Sequence, residues 1–238
     1  MPTEPLFQDD SYSQDCTAAV LNIVDEGIVL DRTVAYAAGG GQPGDRGTLL
    51  IDGRVIPFTG TIKGAEPGSI VHVLDPGVTD AFAAGAEVTI AIDWPRRYRL
   101  MRMHTALHLL CAAVPGAVTG GQIGDGKGRL DFDLAEGALD KDALAATLNE
   151  WVRADHPVTT SWIDDAEFDN RPDLVRTLSV RPPRGSGRVR LVEIRSVDLQ
   201  ACGGTHVRST AEVGALAIAK IENKGKRNRR VNLAFAEG

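Results

Sequence analysis

Cys202 and His206 stand four residues apart in the segment CGGTH, with Gly203 and Gly204 between them. A thiol and an imidazole at that spacing can turn toward one point, because glycine puts no side chain in the way and permits backbone angles that other residues avoid. That is half of a metal site, since zinc takes four protein ligands in a closed structural site, or three plus water in a catalytic one. The other half is on offer in HTALH, where His104 and His108 sit four apart on a segment of helical periodicity and so face the same side. Either pair alone is a weak signal, because two histidines at that separation are more often ordinary surface or half-buried side chains. Together they make a His, His, Cys, His donor set, which suits zinc better than calcium or magnesium. The helix lacks what a zinc peptidase of the HExxH type needs. There a Glu beside the first histidine is the general base; here that position is Thr105, whose hydroxyl does not ionise near neutrality.

The elements that must position these groups can be read from periodicity. From CTAAVLNIVDEGIVLD through EVTIAIDW, short runs rich in Val, Ile and Leu are broken every eight to twelve residues by Gly, Asp or Pro, which predicts strands and turns. The pattern changes at Asp93-Trp94-Pro95. Leu100, Met103, Leu107, Leu110 and Val114 then recur at helical intervals, and Pro115-Gly116 marks a stop. GRLDFDL reads as a strand, and LDKDALAATLNEWVRAD as a helix capped by Asp140 with Leu144, Leu148, Trp151 and Val152 on one face. VTTSWI, RVRLVEI, GALAIAKIE and RRVNLAFAE read as further strands, the last two joined by the hairpin segment NKGKRN, and RPPRGSGR (181–188) as a loop. The expected fold class is α+β. Residues 1–94 form a small, β-barrel-like N-terminal domain, and 95–238 an α+β domain whose helices pack on a mainly antiparallel sheet.

A chain of 238 residues with a formal net charge of −6 does not coat nucleic acid through overall charge, although a local basic face remains open to it. Cys16, Cys111 and Cys202 are odd in number and widely spaced, which is no disulfide framework and points to a reducing, cytoplasmic compartment. The acidic, polar opening MPTEPLFQDDSYSQDC has no signal-peptide character, and no apolar run is long enough to cross a bilayer. His72, within a strand, and His156, before a proline, read as structural or surface side chains, and Cys111 as core filling.

RMHTALHLLCAAV together with DLQACGGTHVRSTAEVG resembles the editing domain shared by alanyl-tRNA synthetases and the free-standing alanyl-tRNA editing proteins called AlaX. YAAGGGQPGDRG, from Tyr36 to Gly47, is similar to the glycine-rich segment that precedes that domain in the synthetases and in the longer free-standing editors. The three motifs cover nearly the whole chain in the right order, and no aminoacylation module is visible, so the resemblance implies a separate editor acting in trans. It implies a zinc ion on His104, His108, Cys202 and His206. It places Gln122, in TGGQIGDG, toward the substrate, the other reading being a loop amide, and makes Gln122 and Thr105 the candidate catalytic residues. Thr119 is a candidate contact to the amino acid. Gly39, Gly40, Gly41, Gln42, Gly44 and Asp45 match the glycine-rich pattern. Most of these suit a tight turn, with Gln42 or a backbone amide of Gly39–Gly41 as the candidate substrate contact.

The implied reaction is hydrolysis of the ester of mischarged tRNA(Ala), chiefly seryl-tRNA(Ala) and secondarily glycyl-tRNA(Ala), with no obligate protein partner. Three basic clusters are candidate phosphate contacts. Arg96, Arg97, Arg99 and Arg102 precede the ligand helix, Arg181, Arg184, Arg188 and Arg190 frame a loop, and Lys224, Lys226, Arg227, Arg229 and Arg230 crowd the terminal hairpin. Two other functions fit the residues alone: a zinc-stabilised RNA-binding module without catalysis, and a zinc hydrolase of small esters or peptides.

Overall fold

A computed structural model describes residues 2–134, 139–175 and 187–236; Arg181 and Arg184 lie outside the described residues. The chain divides into two compact units, Met1–Tyr98 and Arg99–Gly238. The fold is α+β with antiparallel ladders throughout except for one short parallel pair. No helix among the described residues is long and apolar enough to cross a membrane.

The first unit carries β1 (Glu4–Pro5), β2 (Asp15–Val24), β3 (Gly27–Leu30), β4 (Arg32–Thr33), β5 (Gly47–Ile51), β6 (Arg54–Phe58), β7 (Gly60–Lys63), β8 (Ile70–Val73) and β9 (Glu87–Ile92). Alternation drives their packing: in β9, Val88, Ile90 and Ile92 are buried while Glu87, Thr89 and Ala91 are not. Inward residues of this kind, with Val20, Ile28, Leu30, Leu49 and Phe58, make one core. The strand order is β6-β5-β9-β2-β3-β8-β7. Thr59 alone separates β6 from β7 in the chain, so the two edges of this sheet must curl round to meet at that residue. β2 makes the opposite corner, pairing through Asp15–Ala19 with β9 and through its second half with β3. The unit is thus curled like a barrel, but among the described residues no ladder joins β6 to β7, and hydrogen bonds do not close it.

The glycine-rich segment is a two-residue hairpin. Gly39 and Gln42 exchange backbone hydrogen bonds of 3.1 and 2.9 Å, and Gly40 and Gly41 between them take φ of 57° and 82°, angles that favour glycine. Gly44 answers a different demand, since a Cβ there would lie 2.0 Å from the Thr61 carbonyl oxygen.

α1 (Trp94–Ala113) contains the boundary between the units. From Met103 to Cys111 every residue is buried, so the helix carries far more than the single apolar face its spacing predicts. The second unit then builds two sheets. β10 (Ala117–Ile123), β11 (Lys127–Asp133), β15 (Leu216–Asn223) and β16 (Asn228–Phe235) form one in the order β10-β11-β16-β15. β12 (Val158–Asp164), β13 (Arg188–Ile194) and β14 (Asp198–Ala201) form the other. α2 (Lys141–Arg153) is capped by Asp140, whose Oδ1 accepts from the amides of Asp142 and Ala143 at 2.9 and 3.0 Å. Its Asn149 donates to the Leu216 carbonyl and accepts from the Leu216 amide, which occupies backbone groups on the outer side of edge strand β15. α3 (Asp165–Asp169) is a single turn after β12.

Candidate functional site

α1 and the turn after β14 bring the four expected ligands together. The ligating atoms of His104, His108, Cys202 and His206 all lie within 4.8 Å of one another. Cys202 Sγ is 3.5 Å from His104 Nε2 and 3.4 Å from His206 Nε2. A tetrahedral zinc with bonds of about 2.0 to 2.3 Å holds its ligand atoms roughly 3.4 to 3.6 Å apart, so the two thiol–imidazole separations match that spacing, and the donor set is one that zinc takes. All three imidazoles are buried, which ordinary surface histidines are not.

A surrounding set of groups fixes the rings. His108 Nδ1 is 3.0 Å from Asp198 Oδ2, and that oxygen also accepts from Gln200 Nε2 at 2.6 Å. A carboxylate on one ring nitrogen sets the tautomer that leaves the other nitrogen for a metal. His206 Nδ1 is 3.2 Å from Thr105 Oγ1, which also accepts from the Val207 amide at 3.3 Å. Thr105 is wholly buried and holds the His206 ring. Burial alone would lower the His108 imidazole, but hydrogen bonds and charge from Asp198 and Cys202 outweigh it and hold it at about 10. Burial pulls in the opposite direction on Cys202, raising its thiol, yet the His104 and His206 charges bring it well below its usual range. Burial and the His104 charge push His206 well down. Thiolate and neutral imidazole are the ligating forms, so Cys202 and His206 are shifted toward ligation, while His108 gives up a proton to bind a metal.

Asp198 and Gln200 are absent from the sequence reading. Their signal was available: in DLQACGGTH, residues 198, 200 and 202 recur with period two, so a strand there sets carboxylate, amide and thiol on one face. Arg190, grouped above with the loop cations, is 5% exposed and donates from Nη1 to the carbonyls of Cys202 and Gly204 at 3.0 and 2.9 Å.

Gln122 is in strand β10 rather than in a loop, opposite Arg129 of β11, whose Nε donates to Gln122 Oε1 at 3.3 Å. Because arginine has only donors, this bond turns the amide so that Nε2 is the end left for other groups. Thr119 is the extra residue of a β-bulge between Val118 and Gly120. Its hydroxyl donates to the Asp131 carbonyl at 3.2 Å and accepts from Asn228 Nδ2 at 3.3 Å. In the first unit, Gly39, Gly40, Gly41 and Gln42 form the hairpin described above, and Gln42 is buried.

Of the expected RNA contacts, Arg97 needs correcting. It is completely buried, is ion-paired with Asp45, and donates to the carbonyls of Ser11 and Val34 at 3.1 and 2.7 Å, so no phosphate can reach it. Arg96 donates to the Gly44 carbonyl, and Arg99, half exposed, pairs with Asp125. On the terminal hairpin Arg230 pairs with Asp131 at 2.7 Å, Arg227 with Asp133 at 2.8 Å, and Lys224 with Glu222 at 3.2 Å. Lys226 is exposed, and Arg229 donates to the backbone carbonyls of Gly225 and Asn228.

Residues 189–232 match the family model described as the threonyl and alanyl tRNA synthetase second additional domain. The alanyl-tRNA editing protein AlaX-M of Methanosarcina acetivorans is 38% identical over 240 residues, covering 96% of this chain and 97% of that protein. The protein of the same name from Saccharolobus solfataricus is 34% identical over 237 residues, covering 96% and 97%. The alanine–tRNA ligase of Pyrococcus abyssi is 35% identical over 230 residues, which are 92% of this chain and 24% of the ligase. Similarity at this level along the full length of free-standing relatives, with the glycine-rich hairpin and the His, His, Cys, His cluster both in place, shows that this chain belongs to the AlaX-M family of alanyl-tRNA editing proteins.

Proposed function

We propose that the protein is an aminoacyl-tRNA deacylase that edits mischarged tRNA(Ala) in trans. It hydrolyses the ester between a wrong amino acid and the terminal ribose, acting on seryl-tRNA(Ala) foremost and glycyl-tRNA(Ala) second. The observation that carries this reading is the convergence of His104, His108, Cys202 and His206 at zinc-like spacing. Zinc held there supplies Lewis acidity to the ester carbonyl or to a water. Asp198 and Thr105 keep the His108 and His206 rings in ligating orientation. Gln122, its oxygen engaged by Arg129, donates through Nε2 to the serine hydroxyl or to the attacking water. A site that hydrogen-bonds the serine hydroxyl favours serine over alanine, because alanine leaves its polar groups unpaired; glycine lacks the hydroxyl too, so its turnover rests on its smaller size and not on this bond. Lys226, Arg229 and the neighbouring cations of the terminal hairpin meet the RNA phosphates. We assign the reaction to the cytoplasm, where tRNA is charged and the three free cysteines stay reduced.

The test is deacylation of matched seryl-, glycyl- and alanyl-tRNA(Ala), before and after chelation. The expected result is turnover of the first two with the third spared, lost on metal removal while circular dichroism still reports a folded chain, and restored by zinc. No hydrolysis at any zinc loading, with unfolding on chelation, would instead favour a structural zinc in an RNA-binding module. Equal hydrolysis of small esters without tRNA would assign a general esterase.

A further inference from the structure

The segment CGGTH supplies two of the four proposed ligands from a turn containing two glycines, a kind of chain that on its own would sample many conformations. Something must hold it. β13 and β14 are paired up to Leu191↔Ala201, and one more bond continues the ladder, from the Cys202 amide to the Arg190 carbonyl at 3.0 Å. The Arg190 side chain then takes over where the ladder ends. Its Nη1 donates to the carbonyls of both Cys202 and Gly204, at 3.0 and 2.9 Å, and the residue is almost fully buried. With the Gly204 carbonyl turned to the guanidinium, the Gly204 amide lies 3.4 Å from Cys202 Sγ. One arginine therefore fastens the turn at both ends of its first three residues, and the sulfur gains a backbone donor.

We propose that Arg190 is a positioning residue of the metal centre, which presets the Cys202–Gly204 turn so that the thiolate stands at ligating distance before the ion arrives. This rests on the reading of the four-residue cluster as a zinc site. Burying an arginine is costly unless its hydrogen bonds are made, and two of those bonds go to the one turn that must be fixed for the metal. A flexible turn would have to be ordered by the ion itself, and that ordering would weaken binding. A lysine cannot reproduce the arrangement, because its ammonium is a point charge without the planar guanidinium.

The test compares zinc affinity, measured by competition with a chromogenic chelator, in the wild type and in Arg190→Gln, Arg190→Lys and Cys202→Ala, each also melted in metal-free form. Arg190→Gln is expected to raise the zinc Kd by about 10- to 100-fold, the usual effect of losing an outer partner of a metal ligand. Arg190→Lys should fall between it and the wild type, and supplies the answer if the Gln variant does not fold. Cobalt(II) in place of zinc should show a weakened thiolate-to-metal charge-transfer band in both variants. Wild-type zinc Kd and cobalt spectrum in the folded variants, with only the metal-free melting temperature lowered, would make Arg190 a purely structural residue and overturn the proposal. If Cys202→Ala binds zinc as well as the wild type does, the metal-centre reading fails and the role of Arg190 falls with it. Loss of zinc in Cys202→Ala beside unchanged Arg190 variants defeats the Arg190 proposal alone.

Discussion

Among the described residues, two glycine-rich turns are each fastened by a buried arginine, and they do different work. In GGGQPGD of the first unit, Gly40 and Gly41 reverse the chain at positive φ, and Arg97 grips the motif through the Asp45 carboxylate. In CGGTH of the second, neither glycine is among the described residues with positive φ, and Arg190 grips backbone carbonyls instead. The first arrangement neutralises a buried charge. The second aims a sulfur. Buried histidines divide in the same way. His72 of the first unit has its Nε2 2.8 Å from Thr33 Oγ1 and its Nδ1 3.4 Å from the Ile28 carbonyl, and it belongs to no group of three or more ligating side chains among the described residues. His104, His108 and His206 share one point with a thiol. What separates a structural from a functional turn here is therefore the convergence of ligating atoms, and neither glycine content nor burial supplies that.

The largest effect should come from breaking the first arrangement. Arg97→Met leaves the Asp45 carboxylate buried beside the Tyr36 amide, its 2.6 Å donor, without its cation. Stranding one member of a buried ion pair costs about 3 to 5 kcal/mol. Urea unfolding should show that loss while zinc content per chain stays at the wild-type level. A stable variant with weakened tRNA binding would instead return Arg97 to the RNA surface.

His72 should give the next largest effect, through pH. Burial lowers its imidazole from 6.5 to about 4. Above pH 6.5 the ring is neutral both folded and unfolded and contributes nothing to the pH dependence. As pH falls from 6.5 to 4 only the unfolded chain takes the proton, so stability is lost across that window and no further below it. The shift is worth about 3 kcal/mol at the lower end. Unfolding free energies of wild type and His72→Gln measured across the window should diverge in slope, the variant being flatter. Parallel slopes would mean that the His72 ring is hydrated and titrates normally.

How much of this was legible in the sequence depended on the range of the interaction. His104 and His108 announce themselves through helical spacing, and Asp140 through its place before an apolar repeat, because both are local. The pairing of His104 and His108 with Cys202 and His206 was readable only because the donor chemistry is rare in a chain with five histidines and three cysteines. β10 was not readable. TGGQIG is a poor strand former, and it is held extended by its ladder with β11, a tertiary cause. Arg97 and Arg190 look like solvated cations in a one-dimensional text; their burial follows from carbonyls and a carboxylate that folding brings to them. Asp198 lay in between, since its period-two relation to Cys202 is local while its contact with His108 spans 90 residues.

Charge pairing also sharpens the contrast within the terminal hairpin. Arg227 and Arg230 are already partnered by Asp133 and Asp131, while Lys226 and Arg229 are not engaged by a carboxylate among the described residues. Each phosphate contact removed should flatten the slope of log binding against log salt by about 0.7 to 0.9. Lys226→Ala and Arg229→Ala are expected to show that change for tRNA, and Arg227→Ala and Arg230→Ala much less of it. Equal slopes in all four would mean that the aspartates release their arginines to the RNA, and that the pairs in the free protein do not forecast the contacts.

The smallest effect is the most informative about selectivity. Gln122 accepts from Arg129, so its amide presents Nε2 as a donor. If that donor meets the serine hydroxyl, Gln122→Ala slows seryl-tRNA(Ala) hydrolysis and leaves glycyl-tRNA(Ala) nearly untouched, because glycine never offered the oxygen. One lost hydrogen bond is worth about 0.5 to 1.5 kcal/mol, which is roughly a 2- to 13-fold fall in kcat/KM for serine alone. If the donor holds the attacking water, both substrates slow together. Arg129→Ala separates orientation from presence, since it frees Oε1 while keeping the amide. A serine-selective loss in Arg129→Ala as well as in Gln122→Ala would mean that the direction of the amide, and not only its position, distinguishes the two amino acids. Wild-type rates on both substrates in Gln122→Ala would leave β10 as scaffold and move serine recognition elsewhere.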